Sequence, residues 1–509
     1  MRNRIDHSAY LKDRTDRMSS QAPAAPAQAV STETNRWIVL VLVCLAQFMV
    51  VLDATIVNVA LPSIQADLHF SPGNLAWIIN SYTLLFGGFL LLGGRAADLF
   101  GRKRVFLAGV VLFSVASMLC GLASSQGTLI AFRALQGLGA ALVSPAALSI
   151  IMTTFADGAE RTKALAVWGA IAASGSAFGL LLGGFLTESL SWEWIFFVNV
   201  PIGIGAFLFS LRLIPESKGE SGGKSFDLPG ALLVTAGLVS IVYAIVKASD
   251  AGWGSSTTLG FGALGVVLLA AFIAIETRHH DPLVRLGIFK TRSLSTANGV
   301  MLVVAGGMFA MFFFATIYVQ EVLDYSPLKA GFAFLPFTVG IIVGSVMAQQ
   351  LIPRIGVRAQ IMIGLVLATI GLLLMTRITP EGSYLGQLLP AVIVMSIGMG
   401  NTFVPLTLLA TTNVDVEDAG LASGLFNTSQ QIGGALGLSI LSTLAASRTD
   451  GLIADGGNPV GALVDGYHLA FLIGALFIAA GAVAILLLIR RRDVAAINAA
   501  EAGAVQMAH

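Results

Sequence analysis

The chain has 509 residues, of which 56% are hydrophobic and only 11% charged, with a formal net charge of +1. Soluble proteins are about 25% charged, so the composition excludes an ordinary soluble domain, and no nucleic-acid partner is expected. Charge-poor runs of about 20 residues, the length that crosses a bilayer as a helix, recur along nearly the whole chain and are too long for barrel strands.

The fold class expected is an all-α polytopic membrane protein with the lipid bilayer as its surroundings. Residues 1–36 are polar, contain "APAAPAQA" and six Lys or Arg, and read as a disordered tail. A cleavable signal peptide is not expected, because the first apolar run begins late and is long enough to span. Fourteen spans are then predicted, at 37–60, 74–93, 105–123, 128–152, 163–187, 194–213, 227–247, 257–276, 295–320, 329–351, 357–377, 386–410, 419–447 and 466–489.

Span one contains "LDATIVNVALP", an apolar stretch with a single charge, Asp53. A carboxylate within a membrane is costly and usually has a partner or a task. Asp53 lies seven residues before Ala60, about 10 Å from the span end at 1.5 Å per residue. Desolvation penalises its charged form, which makes it a candidate proton carrier. Arg133 in span four falls at a similar depth from the same side. The two are expected to pair, as a proton switch rather than a static ion pair.

The loop after span two reads "GRAADLFGRKR". Its basic residues follow the rule that cytoplasmic loops are positive. The same rule does not explain Gly94, Asp98 and Gly101, which with Arg102 and Arg104 can form a conformational latch. Span four continues with "RALQGLGAA", in which Arg133, Gln136 and Gly137 fall within one turn, Arg133 and Gly137 on one face. Span five carries Gly175, Gly179 and Gly183 at intervals of four, followed by Gly184. Such a stripe lets helices touch, and packing is at least as good a reading of it as gating.

Spans seven and eight separate two segments that repeat weakly. "DLFGRKR" corresponds to "PRIGVRA", and "GLGAALVSP" to "GMGNTFVP". Two related six-span bundles with an inserted pair would give this pattern, and parallel six-span repeats are a known transporter plan. The domains expected are a bundle at 37–213, a linker with two spans at 214–294, a second bundle at 295–491, and a tail at 492–509. In span nine, Phe309, Phe312, Phe313 and Phe314 are expected to face lipid. Asn401 in span twelve and Asn427, Gln430 and Gln431 in span thirteen either line a polar cavity or bond between helices.

With the N-terminus in the cytoplasm, inner segments hold twenty-four of the 29 Lys and Arg. Both termini are therefore expected in the cytoplasm. The loop 411–418 breaks the bias, with three acids and no base. Cys44 and Cys120 lie in apolar runs and read as packing residues. His279 and His280 read as a solvated pair, and no metal site is expected. There is no HExxH, GxSxG or phosphate loop, so no enzyme activity is expected.

These motifs resemble the fourteen-span drug:proton antiporters of the major facilitator superfamily, the EmrB/QacA type. "LDATIVNVALP", "GRAADLFGRKR" and "RALQGLGAA" are similar to that family's span-one, loop 2–3 and span-four signatures. "WEWIFFVNVPIG", "DPLVRLGIF", "YSPLKAGFAFLP" and "GLASGLFNTSQQIGGALG" are also similar to family blocks. The resemblance covers about residues 36–490. It implies a cell-membrane exporter of hydrophobic or amphipathic small molecules, driven by a proton gradient with no cofactor. It further implies Asp53 as the proton site, Arg133 as its coupling partner, and Asp98 with Arg102 as the latch. Two departures stand out: Leu180 replaces the Pro of the antiporter motif, and Glu193 replaces the usual Arg. A lipid or glycolipid exporter on the same fold and a non-transporting membrane sensor or scaffold are the alternatives.

Overall fold

The computed structural model describes residues 36–155, 158–218, 226–279, 282–412, 414, 418–490 and 493–495. The predicted tails, apart from Arg36 and 493–495, lie outside these residues, as do 219–225 of the central linker, His280, Asp415 and Glu417. Among the described residues there is no strand.

The long helices are α1 (Arg36–Leu68), α2 (Trp77–Phe100), α3 (Arg102–Gly121), α4 (Gln126–Thr154), α5 (Ala159–Ser189), α6 (Asn199–Leu213), α7 (Leu228–Ala251), α8 (Ser256–Glu276), α9 (Arg292–Ile317), α10 (Leu335–Ile355), α11 (Val357–Met375), α12 (Leu389–Thr411), α13 (Ala419–Ala454) and α14 (Pro459–Leu488). Among the described residues, 13 helices are long and apolar enough to cross a membrane. The exception is α13, which has 36 residues but carries the polar run Asn427-Thr-Ser-Gln-Gln431. Of the fourteen predicted spans, it is the one whose helix is not apolar enough by that measure. α13 is enclosed by α9, α14, α2 and α7, so the bilayer does not demand that its whole surface be apolar.

Helix ends depart from the apolar runs where helices continue into water. α1 extends to Leu68, beyond the predicted end at Ala60. Its last turn is held by Gln126, whose side chain donates to the Leu68 and His69 carbonyls at 3.2 and 2.8 Å. α14 begins at Pro459, where the Asn458 side chain accepts from the Val460 and Gly461 N–H groups and Pro sits at the first position, where its missing N–H costs nothing. The tenth span divides into Pro327–Ala333 and α10; Pro336 has no N–H for a continuous ladder.

Helices α1–α6 pack into one bundle and α9–α14 into another. α7 lies against both, on α2 and α13, where Thr443 donates to the Ile245 carbonyl. α8 packs chiefly on α7. The outer faces carry exposed Leu208, Phe209, Val266, Val267, Leu476 and Leu487, the lipid-facing belt of an all-α membrane protein.

Candidate functional site

Asp53 and Arg133 are in contact. Arg133 Nη1 lies 2.6 Å from Asp53 Oδ2, with side chains 2% and 0% exposed. The other carboxylate oxygen accepts from Gln136 Nε2 at 2.7 Å and Asn199 Nδ2 at 2.9 Å. The guanidinium also donates to Gln136 Oε1 at 2.6 Å and, through Nε, to the Ile78 carbonyl at 3.1 Å. Its face covers the Tyr82 ring at 4.3 Å. Asn199 in turn donates to Ser117 Oγ at 3.0 Å, and Ser117 donates to the Phe196 carbonyl at 2.8 Å. Five helices, α1, α2, α3, α4 and α6, thus meet at one carboxylate. Both carboxylate oxygens are bonded, as a buried charge requires, while Asn199 Oδ1 has no partner among the described residues. Asn199 and Ser117 are absent from the sequence reading; the signal was the one amide of span six, in "FVNVPIG".

Gly137 serves this network indirectly. A side chain there would strike the backbone of Tyr82, so the glycine sets α2 against α4 and puts the Tyr82 ring on the guanidinium. Beside Gly94, which has ordinary room, Gly93 abuts the Ala141 carbonyl of α4.

A cavity of about 1160 Å³ lies between the bundles. Gln47, Val50, Val51, Ala54, Thr55 and Asn58 give it one face of α1. Asp53 is on the opposite face. One helix wall therefore separates the charged network from the open space. The cavity reaches Gly94, Arg95, Asp98, Met152 and Arg285 at the basic ends of the helices. At the far end the halves are joined. Asn80 donates to Ser439 Oγ at 2.8 Å, Gln320 to the Val59 carbonyl at 2.9 Å, and the Leu328 N–H to Glu188 at 3.0 Å. The cavity is open at the basic end and closed at the other.

Asn427, Gln430 and Gln431 line this cavity. Asn401 does not. It is 1% exposed, accepts from Gln360 on α11 and donates to the Ile397 carbonyl at 2.8 Å. Helix α12 turns it into the bundle, so of the two readings the interhelical bond holds for Asn401. The phenylalanines of α9 are corrected as well. Phe309 and Phe312 line the cavity, Phe313 and Phe314 are buried, and none faces lipid. Span nine is apolar all round because it is central, which hydropathy alone cannot distinguish from lipid contact.

The glycines of α5 grip α1 beside the acid. A side chain at Gly175 would meet Val51 at 3.1 Å, one at Gly179 would overlap Thr55, and one at Gly183 would meet the Ile56 carbonyl at 2.8 Å. Gly184 contacts the Pro327 carbonyl at 2.6 Å by the same measure. With Leu180 in place of Pro, α5 is one unbroken helix.

Across the turn from α2 to α3, Asp98 and Arg102 pair at 3.2 Å. Gly101 has φ +106°, a backbone shape that a side chain resists. Glu216, just after α6, accepts from the Lys103 N–H at 3.2 Å and lies 3.5 Å from Arg104 Nε. The sequence reading missed it. An acid shortly after a span end has no periodicity to mark it.

An all-helical chain of two bundles, with a cavity between them open at one end and a charge pair buried behind its wall, has the architecture of an alternating-access transporter. Residues 43–438 match the Major Facilitator Superfamily, and the chain belongs to that superfamily. It is a transporter and not an enzyme. It is 43% identical to the puromycin resistance protein pur8 of Streptomyces alboniger over 91% of this chain and 93% of that one. It is 40% identical to the cephamycin export protein CmcT of Amycolatopsis lactamdurans over 86% and 91%. The multidrug resistance protein Stp of Mycobacterium tuberculosis is 34% identical over 81% and 77%. Among solved structures, a bacterial homologue of the human lysosomal transporter Spinster, inward-facing and unoccupied, matches with TM-score 0.64 and 16% identity over 91% and 98%. These relatives make the chain an efflux transporter of the superfamily.

Proposed function

We propose that the protein is a fourteen-span drug:proton antiporter of the cytoplasmic membrane that exports apolar or amphipathic small molecules, antibiotics among them. The observation that carries this reading is the Asp53–Arg133 network directly behind the α1 face that lines the cavity. With both termini cytoplasmic, the cavity opens inward. Bundles at 37–213 and 295–491 rock about the linker at 214–294.

In this arrangement Asp53 is paired with Arg133 and without exposed surface. A proton reaches it only when the helices move. Protonation removes the counter-ion of Arg133, and the guanidinium is left with the Ile78 carbonyl, Gln136 and Tyr82. The bonds to Gln136 and Asn199 weaken, because a neutral carboxyl accepts less strongly than a carboxylate. The network then holds α1 less tightly, and α1 is also a wall of the substrate space. Proton binding and cavity shape are thereby linked through one helix. Gln47, Asn58, Gln430 and Gln431 offer hydrogen bonds, and Phe309, Phe312 and Phe337 offer apolar contact.

Inverted membrane vesicles test the reading. Dye accumulation should follow an imposed proton gradient and stop when the gradient is collapsed. Accumulation that is indifferent to the gradient would remove proton coupling. A lipid exporter is the second reading, favoured by Leu180 on the cavity wall. Movement of labelled lipids without dye movement would select it.

A further inference from the structure

A second carboxyl site lies outside the two bundles, on the inserted hairpin. Asp227 caps the N-terminus of α7, where Oδ1 accepts from the Gly230 N–H at 2.9 Å. Glu276 ends α8, and its Oε2 accepts from the Val284 N–H at 3.2 Å. Asp227 is 2% and Glu276 3% exposed. The remaining oxygens, Asp227 Oδ2 and Glu276 Oε1, have no hydrogen-bond partner among the described residues. Both point to the same spot. A side-chain carbon at Gly230 would sit 2.5 Å from the first and 2.9 Å from the second. Gly230, in the "DLPG" turn, is what leaves room for the two carboxyls to face each other.

Two carboxylates cannot both stay charged at such a distance without a cation or donor between them. Of the described titratable groups, His279 is the one other that acts on Glu276. Arg285, on the segment that also carries Val284, is engaged with Asp418 of α13.

We infer that Asp227 and Glu276 form a shared-proton carboxyl pair, a second proton-binding site of the protein. The proton sits between Asp227 Oδ2 and Glu276 Oε1, to which no described residue donates. Asp227 lines the cavity, so the proton exchanges with water there and no bond other than O–H is made or broken. The pair ties the start of α7 to the end of α8. Through Val284 it also ties down the segment 282–285, of which Pro282, Leu283 and Arg285 line the cavity. Loss of the proton leaves two facing charges and drives that segment from α7 at the cytoplasmic mouth. This last step rests on the proposed antiport; the proton site itself does not.

The test reads the proton directly. The full-length Asp53→Asn protein in lipid nanodiscs is examined by infrared difference spectroscopy from mildly acid to mildly alkaline pH. The Asp53 carboxyl is then absent, and transport need not function. A protonated-carboxyl band present at neutral pH is expected, lost completely on adding Glu276→Gln and likewise on adding Asp227→Asn. In a pH jump, each added variant should release one proton fewer per chain. A spectrum with no such band at neutral pH, or a band that survives both substitutions, overturns the proposal. Glu276→Gln keeps the size of the side chain and offers an N–H to Asp227, so the fold is retained. A folded Glu276→Gln protein with unchanged proton release would also overturn it.

Discussion

In the first bundle, α4 brings Arg133 and Gln136 to Asp53. In the second, α12 occupies the corresponding place, and 261 residues further on the same positions are Val394 and Ile397. The polar core there is Gln360 with Asn401, an uncharged pair. The glycines of the two helices do similar work. Gly137 and Gly139 bring α4 against Tyr82 of α2 and Phe113 of α3, and Gly398 and Gly400 bring α12 against Ala368 of α11 and Ile341 of α10. Gly101 and Gly356 both open the third helix of their bundle with positive φ. The scaffold is thus repeated and the charge is not. Packing can be duplicated freely, whereas a buried ion pair needs a complete set of bonding partners to offset its desolvation. Only α1–α6 supply that set.

Four experiments test this asymmetry. The largest effect is expected at Asp53. Asp53→Asn should abolish concentrative export while the protein still inserts, since size is kept and titration is lost. Arg133→Leu should also inactivate, and should lower stability by about 3–5 kcal/mol, because it leaves a buried charge unpaired. The double variant should be more stable than Arg133→Leu alone, measured by thermal unfolding in detergent. Additive losses would mean that the two residues do not act as a pair.

Glu216→Gln should have the next largest effect. It weakens the bonds to Lys103 and Arg104, which hold this conformation, and should speed departure from it by up to about tenfold, the effect of losing one charge-assisted bond of about 1.5 kcal/mol. Substrate affinity, measured by equilibrium binding, should be unchanged. A loss of affinity at normal exchange rates would place Glu216 in substrate binding.

A third experiment probes the second bundle through the cavity. Gln431→Ala and Phe312→Ala should shift the ranking of exported compounds by a few-fold, on the order of 1 kcal/mol each, with the pH dependence of export retained. If pH dependence moves with either variant, the second bundle takes part in proton coupling.

The smallest effect is expected for Gln360→Leu combined with Asn401→Leu. Replacing both partners of a buried neutral bond by apolar groups is nearly neutral, so export should stay within about two-fold of the parent protein. Inactivation would show that the second bundle also depends on its polar core.

The sequence disclosed the spans and the charged residues because both are set by the bilayer. A charge at depth is rare enough to stand out, so Asp53 and Arg133 could be matched by depth alone. Direction around the helix was another matter. Most spans are apolar on every side, and nothing in them marks which face meets lipid, cavity or neighbour. For that reason Asn401 and Asn427 are equivalent in sequence, the phenylalanines of α9 read as lipid-facing, and Asn199 carries no mark of its bond to Asp53. Glu216 lay beyond any periodic segment and became visible only when α3 and the end of α6 were seen together.

Helix α8 has 21 residues, which gives a length of about 31 Å, close to the thickness of the hydrocarbon layer, about 30 Å. Protein covers it chiefly along α7, so on its other sides its ruler is the bilayer. Glu276 is the last mark on that ruler. The carboxyl itself is 3% exposed and enclosed by protein, so a membrane a few ångströms thicker or thinner would act on it by shifting the end of α8 against Asp227 unless the helix tilts. The lipid composition of the host membrane is in this sense an input to the protein, delivered at one acidic residue by the length of one helix.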